Sequence, residues 1–178
     1  MIKLSNLLKE ERAYDYGCVM LYTSFPSQII KLQDTINPND LHANGIEFEP
    51  HCTLLYGLHD GVTLDQITNI VNKFKFTDLK AYEPSLFENP EFDVFKYDVG
   101  YPTRGGAFLH HCNSLLSELP NTQTYPDYHP HMTIAYLQPG KGKQYVEYFK
   151  KHGASEFMTK PTHIVYSEAN GKKTQINL

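Results

Sequence analysis

The 178-residue sequence predicts an α+β fold of two similar lobes, related by a pseudo-twofold axis, whose antiparallel sheets flank a central cleft. Three observations predict it. Residues 50–56 read PHCTLLY and residues 130–136 read PHMTIAY, so Pro, His, Thr and Tyr recur at identical offsets eighty residues apart. The surroundings of both copies follow one order: strand, helix, His-bearing strand, helix, strand. No low-complexity stretch or long linker interrupts that order, so the chain reads as a single bilobal domain over 1–178, with one lobe over about 14–89 and the other over about 90–178.

The elements follow from local pattern. Tyr16 to Thr23 (YGCVMLYT) is a short apolar run and reads as a buried strand; PSQIIKLQDTI after it has helical spacing. Asn37 to Glu49, with Pro and Gly, reads as a loop leading to the first His strand. In GVTLDQITNIVNKF, Thr63 and Gln66 form a capping box and Leu64, Ile67, Ile70, Val71 and Phe74 one apolar face. Lys80 to Phe87 closes the first half as a strand. The second half repeats the scheme. Phe92 to Val99 is a strand, and a helix follows Gly105-Gly106 with Leu109, Cys112, Leu115, Leu116 and Leu119 inward. After the second His strand, GKGKQYVEYFKKH turns Tyr145, Val146 and Phe149 inward. Thr162 to Glu168 is a strand, and Asn170-Gly171 turns the chain into a last strand ending at Leu178. Glu83 to Pro90 is a strand end and turn.

Side chains alternate faces along a strand. His51, Thr53 and Leu55 then share one face, and Cys52, Leu54 and Tyr56 the other. In the second copy His131, Thr133 and Ala135 oppose Met132, Ile134 and Tyr136. The faces ending in Tyr56 and Tyr136 read as core, and Pro50 and Pro130 as strand openers. The other face sets an imidazole beside a hydroxyl. A single His-x-Thr would be a surface histidine next to a β-branched strand former. Two copies at matched places in a repeat point to chemistry. A pseudo-twofold brings both pairs to one cleft, where two histidines can flank a phosphorus. One neutral imidazole removes a proton from the attacking oxygen, and the other, protonated, supplies one to the leaving oxygen. Thr53 and Thr133 can donate hydrogen bonds to non-bridging oxygens, which strengthen as charge builds. This scheme needs no metal or cofactor.

Composition limits the partners. Net charge is −4 and the sequence pI about 6.1, without the basic excess of proteins that grip long nucleic acid, so a nucleotide substrate of this chain would be small or recognised locally rather than along a backbone. No apolar run reaches the roughly 18 residues of a membrane span, and MIKLSNLLKEERAYDYG lacks the pattern of a signal peptide, so a cytoplasmic address is the expectation. Cys18, Cys52 and Cys112 are odd in number and lack CxxC spacing, as free buried thiols would be. His129 and His131 share a strand face, and His110-His111 sit on a helix, but no cysteine or carboxylate partner completes a metal set. No G-x-S-x-G occurs. Arg104-Gly105-Gly106 reads as a turn and Lys141, Lys143, Lys172 and Lys173 as solvated charges.

PHCTLLYG and PHMTIAYL resemble the paired motifs of the 2H phosphoesterase superfamily, which includes 2′-5′ RNA ligase-like proteins and cyclic phosphodiesterases; the resemblance covers nearly the whole chain. It implies His51 and His131 as acid and base in either order, Thr53 and Thr133 as phosphate ligands, and no metal. GIEFEPHCTLLYGLHDGV with YHPHMTIAYLQPG looks most like the phage anti-CBASS nucleases, which destroy cyclic di- and trinucleotide messengers of bacterial immunity. That resemblance implies attack by a ribose 2′-hydroxyl on its own 3′-phosphodiester, in a host bacterial cytoplasm, with Tyr14, Tyr16, Tyr22 and Glu168 holding bases. The family's base-contacting Trp has no counterpart, because the chain has no Trp. The alternatives are a 2′,3′-cyclic phosphodiesterase or 2′-5′ ligase acting on RNA ends and, of another class, a non-catalytic nucleotide sponge. Oligomeric state is not legible.

Overall fold

The structure, a computed structural model, describes residues 15–103, 106–123, 125 and 127–178. Tyr14 and the Arg104-Gly105 pair lie outside the described residues.

The strands pair into two antiparallel sheets. The first holds β1 (Gly17–Tyr22), β3 (His51–Leu58), β8 (His163–Ser167) and β9 (Lys173–Asn177), in the order β3-β1-β8-β9. The second holds β2 (Leu41–Ile46), β4 (Leu79–Glu88), β5 (Asp93–Gly100), β6 (His131–Leu137) and β7 (Phe157–Thr159), in the order β2-β6-β5-β4-β7. Among the described residues four helices cover them: α1 (Ser27–Gln33), α2 (Leu64–Val71), α3 (Ala107–Leu116) and α4 (Gly142–Lys151). Helix α2 packs on α3, α3 on β3, and α4 on β4 and β5. The expected capping box forms, with Thr63 Oγ1 accepting from the Gln66 amide and Gln66 Oε1 from the Thr63 amide.

The sheets do not divide at residues 89/90. Strand β4, from the first half, sits between β5 and β7, and β8, from the second half, pairs with β1. Each sheet therefore draws strands from both halves, which ties the lobes together through the backbone ladder. Residues 37–49, expected as a loop, contain a 3-10 turn over Pro38–Asp40 and edge strand β2. Strand β2 is polar and half-exposed because only one of its edges is paired, so it lacks the apolar signature of a central strand.

The two His strands carry the same irregularity. Thr53 opposes Met20 and Leu55 opposes Val19, so Leu54 is an extra residue; Thr133 opposes Lys96 and Ala135 opposes Phe95, so Ile134 is extra. Each is a β-bulge, two residues against one, which resets the alternation beyond it. The expected facing is corrected accordingly. Leu55 is 5% and Ala135 0% exposed, in the core, whereas Tyr56 is 38% exposed and Tyr136 half-buried. His51, Thr53 and Tyr56 now share one face, as do His131, Thr133 and Tyr136, with Thr133 the most covered of the six. A helix carboxamide caps each bulge: Asn113 Nδ2 of α3 donates to the Leu54 carbonyl at 2.7 Å, and Gln33 Nε2 of α1 to the Ile134 carbonyl at 3.1 Å. Gln33 and Asn113 are themselves eighty residues apart.

Candidate active site

Strands β3 and β6 belong to different sheets yet pack against one another. The contact is locked by polar side chains. Thr23 Oγ1 lies 3.3 Å from the Pro50 carbonyl and 3.2 Å from Met132 Sδ. Tyr128 OH, just ahead of β6, donates to the Thr53 carbonyl at 3.1 Å. The two motif strands are therefore held together, and His51 lies near enough to act electrostatically on His131.

Both imidazoles are held alike. His51 Nδ1 is 2.8 Å from the Glu49 carbonyl, and His131 Nδ1 is 2.6 Å from the His129 carbonyl. A carbonyl only accepts, so each bond places a proton on Nδ1 and leaves Nε2 for chemistry. In its neutral form each ring can accept a proton at Nε2; in its cationic form it can donate one there. His129 thus contributes its backbone, and its ring stays exposed.

The surroundings of the two pairs differ. On β1, Tyr22 opposes His51 and Met20 opposes Thr53. The Tyr22 ring lies 5.4 Å from His51 and stacks at 4.8 Å on His163. Burial pushes the Tyr22 phenol upward, with Glu49 and Glu47 adding to it. On β5, Asp98 opposes His131 and Lys96 opposes Thr133. Lys96 is 4% exposed, and its Nζ pairs with Asp98 at 2.5 Å and lies 4.3 Å from the Phe87 ring centroid. Phe87 in turn meets His131 edge-on at 5.0 Å. Burial pushes the His131 imidazole below its ordinary value of 6.5; Lys96 and His51 push the same way, while the His129 carbonyl and Asp98 push back. Tyr136 places its hydroxyl beside the Thr133 side chain.

Of the residues expected to hold bases, Tyr22 is at the site. Tyr16 and Glu168 are not beside it. Tyr16 precedes Gly17, which opposes Leu58, and packs on Tyr56 and His59; about 20 Å of extended strand separates it from Tyr22. Glu168 follows Ser167 at the same far end, where it pairs with Lys172 and lines a cavity of about 830 Å³ with His59 and Tyr166. Burial pushes the Cys52 thiol up to about 12, which leaves no thiolate for a cysteine mechanism. Among the described residues no three His, Cys, Asp or Glu side chains gather as metal ligands, and no helix is long and apolar enough to cross a membrane.

Sequence reasoning missed Lys96, Asp98, Gln33, Asn113, Tyr56 and Tyr136. The carboxamides at 33 and 113 share the motif's own offset, a signal that pointed to them. Lys96 and Asp98 alternate with apolar Phe95, Tyr97 and Val99, which marks both for one face of a strand.

No protein-family model and no curated protein sequence matches the chain. Solved structures do. Usb1 of Kluyveromyces marxianus matches over 93% of this chain and 99% of its own, with TM-score 0.60 at 10% identity. Escherichia coli LigT complexed with 3′-AMP matches over 92% and 96%, with TM-score 0.53 at 15% identity. The MHV ns2 PDE domain matches over 92% and 98%, with TM-score 0.51 at 14% identity. The fold is thus the bilobal fold of the 2H phosphoesterases. The likeness reaches across nearly the full length of all three chains and is a likeness of fold.

Proposed function

We propose that this protein is a phosphodiesterase that works by acid–base catalysis between His51 and His131, without a metal, on cyclic di- and trinucleotide messengers. The observation that carries the reading is the matched pair of Nδ1–carbonyl bonds, which leaves the Nε2 of each motif histidine free on two strands that pack against one another. The nucleophilic hydroxyl loses its proton to one Nε2 as its oxygen bonds to phosphorus. The other Nε2–H protonates the departing oxygen as its bond to phosphorus breaks. Thr53 and Thr133 donate to the non-bridging oxygens as their charge rises. With a ribose 2′-hydroxyl as nucleophile, the ring opens to a linear product ending in a 2′,3′-cyclic phosphate. Tyr22, Tyr56 and Tyr136 on the open faces offer aromatic surface to bases. Net charge −4 suits a compact substrate better than a long polyanion. In a phage, such an enzyme would remove CBASS messengers.

A second reading has its own support: Usb1 is solved with uridine monophosphate, TM-score 0.59 at 11% identity, and LigT with 3′-AMP. RNA ends bearing a cyclic phosphate are the substrates it predicts. The test is incubation in EDTA with cyclic di- and trinucleotides and with RNA ending in 2′,3′-cyclic phosphate, read by mass spectrometry. Linear products that vanish in His51→Ala and His131→Ala support the first reading. Intact rings with opened RNA ends favour the second. Ligand depleted without any product, equally by wild type and by both His variants, means a sponge and overturns both.

A further inference from the structure

The repeat makes the two motifs look interchangeable, and their proton roles are unassigned by it. The neighbouring strands break that equivalence. Where β1 sets Met20 opposite Thr53, β5 sets Lys96 opposite Thr133; where β1 sets Tyr22 opposite His51, β5 sets Asp98 opposite His131. One half of the cleft is backed by apolar and aromatic side chains. The other is backed by an ammonium that is 4% exposed, in a chain whose other described lysines are partly or fully exposed.

We infer that Lys96 is a positioning residue that polarises the cleft, so that His131 accepts the proton from the nucleophile and His51 donates the proton to the leaving group. The inference rests on the phosphodiesterase reading for the reaction, but its electrostatic core does not.

A buried cation acts through a low effective dielectric, so its field at a neighbouring ring is larger than an exposed lysine would supply. The groups that act on His131 are Lys96 and Asp98 from β5, His51 from β3 across the cleft, and the His129 carbonyl at its own Nδ1. Phe87, between Lys96 and His131, is uncharged and adds no screening by water. Asp98 offsets Lys96 only in part, because its side chain is 53% exposed and solvated. A second positive charge on His131 is therefore disfavoured. The neutral ring, with its Nε2 lone pair free, is the proton acceptor. His51 faces Tyr22 rather than a buried ammonium, which leaves it the donor role in this assignment. Burial is the largest cause of the lowered His131 value, and Lys96 pushes in the same direction. Lys96 itself is too covered to contact a substrate and acts through His131.

The test has two arms. In the first, NMR titration follows the His51 and His131 ring signals in the full chain and in three variants. In the wild type His131 titrates below His51. Lys96→Met, which copies Met20, raises the His131 midpoint; Lys96→Arg restores it. Asp98→Asn, at a side chain half open to solvent, lowers it further, and this opposite sign keeps the test decisive even where Lys96→Met folds poorly. A His131 midpoint above that of His51, or one indifferent to Lys96→Met and Asp98→Asn, overturns the inference.

The second arm compares uridylyl-3′,5′-adenosine with uridine 3′-(p-nitrophenyl phosphate), whose leaving group departs without protonation. The rate loss in His51→Ala should shrink at least about tenfold on the nitrophenyl probe, whereas the loss in His131→Ala stays about 10²–10⁴-fold on both. The reverse pattern overturns the assignment. If the wild type cleaves neither probe, the phosphodiesterase reading fails on them, and the titration alone decides the inference.

Discussion

Removing the Asn113 carboxamide tests whether the bulge is held as described. Leu54 is the extra residue of β3, outside the regular ladder, and Asn113 Nδ2 donates to its carbonyl at 2.7 Å. Asn113→Ala takes that donor away at a half-buried position. A buried carbonyl without its partner costs about 1–3 kcal/mol. Near the middle of that range, about 2 kcal/mol lowers the melting temperature of a chain this size by roughly 4–8 °C. The activity effect comes on top, because the bulge sets where Thr53 and Tyr56 point relative to His51. A displacement near 1 Å at a reacting group can cost up to about 10²-fold. Gln33→Ala provides the internal comparison. The Ile134 carbonyl also accepts from the Glu47 amide at 3.0 Å, so it keeps one partner when Gln33 is cut. Urea denaturation and calorimetry of both variants, with kcat/KM on a cleaved nucleotide, measure the difference. Asn113→Ala within about 0.5 kcal/mol of wild type, or no less stable than Gln33→Ala, would mean that the Asn113 carboxamide does not hold the bulge.

Thr133→Val keeps the shape of a residue that is 8% exposed and deletes its hydroxyl. The expected loss is about 10²–10³-fold in kcat with substrate affinity largely kept, read by steady-state kinetics. Gly57 sits in a second β3 bulge at φ +106°, and a Cβ there would run into the Thr122 carbonyl. Gly57→Ala should destabilise by about 1–3 kcal/mol in urea unfolding. Prolonged dialysis against EDTA should leave the turnover rate unchanged, and restoration of lost activity by a divalent cation would remove the two-imidazole scheme.

What the sequence shows and hides follows from the physics of each signal. Helix α2 was legible because its capping box and apolar stripe are local, and β6 because apolar residues and a His-x-Thr repeat coincide. The bulges at Leu54 and Ile134 were not. A bulge is a relation between two strands, and one strand read alone gives strict alternation, which aimed Tyr56 and Tyr136 the wrong way. The same holds for β4 and β8. Each reads as a strand, but which sheet it joins depends on partners far along the chain. Lys96 was hidden because a lysine in a strand is ordinarily solvated, and only the fold reveals that Asp98 and Phe87 enclose it. Tyr16 and Glu168 were expected at the cleft by resemblance, and the length of β1 carries them to its other end.

In the proposed reaction two imidazoles, one neutral and one protonated, share the chemistry. The pH dependence of kcat/KM on a cleaved nucleotide, measured in EDTA, tests it most directly. The lowered His131 titration places the acid limb below the ordinary imidazole value of 6.5, since a depressed value keeps the ring neutral down to lower pH. The expected profile is a bell with that acid limb and a falling limb as the other ring loses its proton. A rate that climbs steadily through about pH 9 would contradict it.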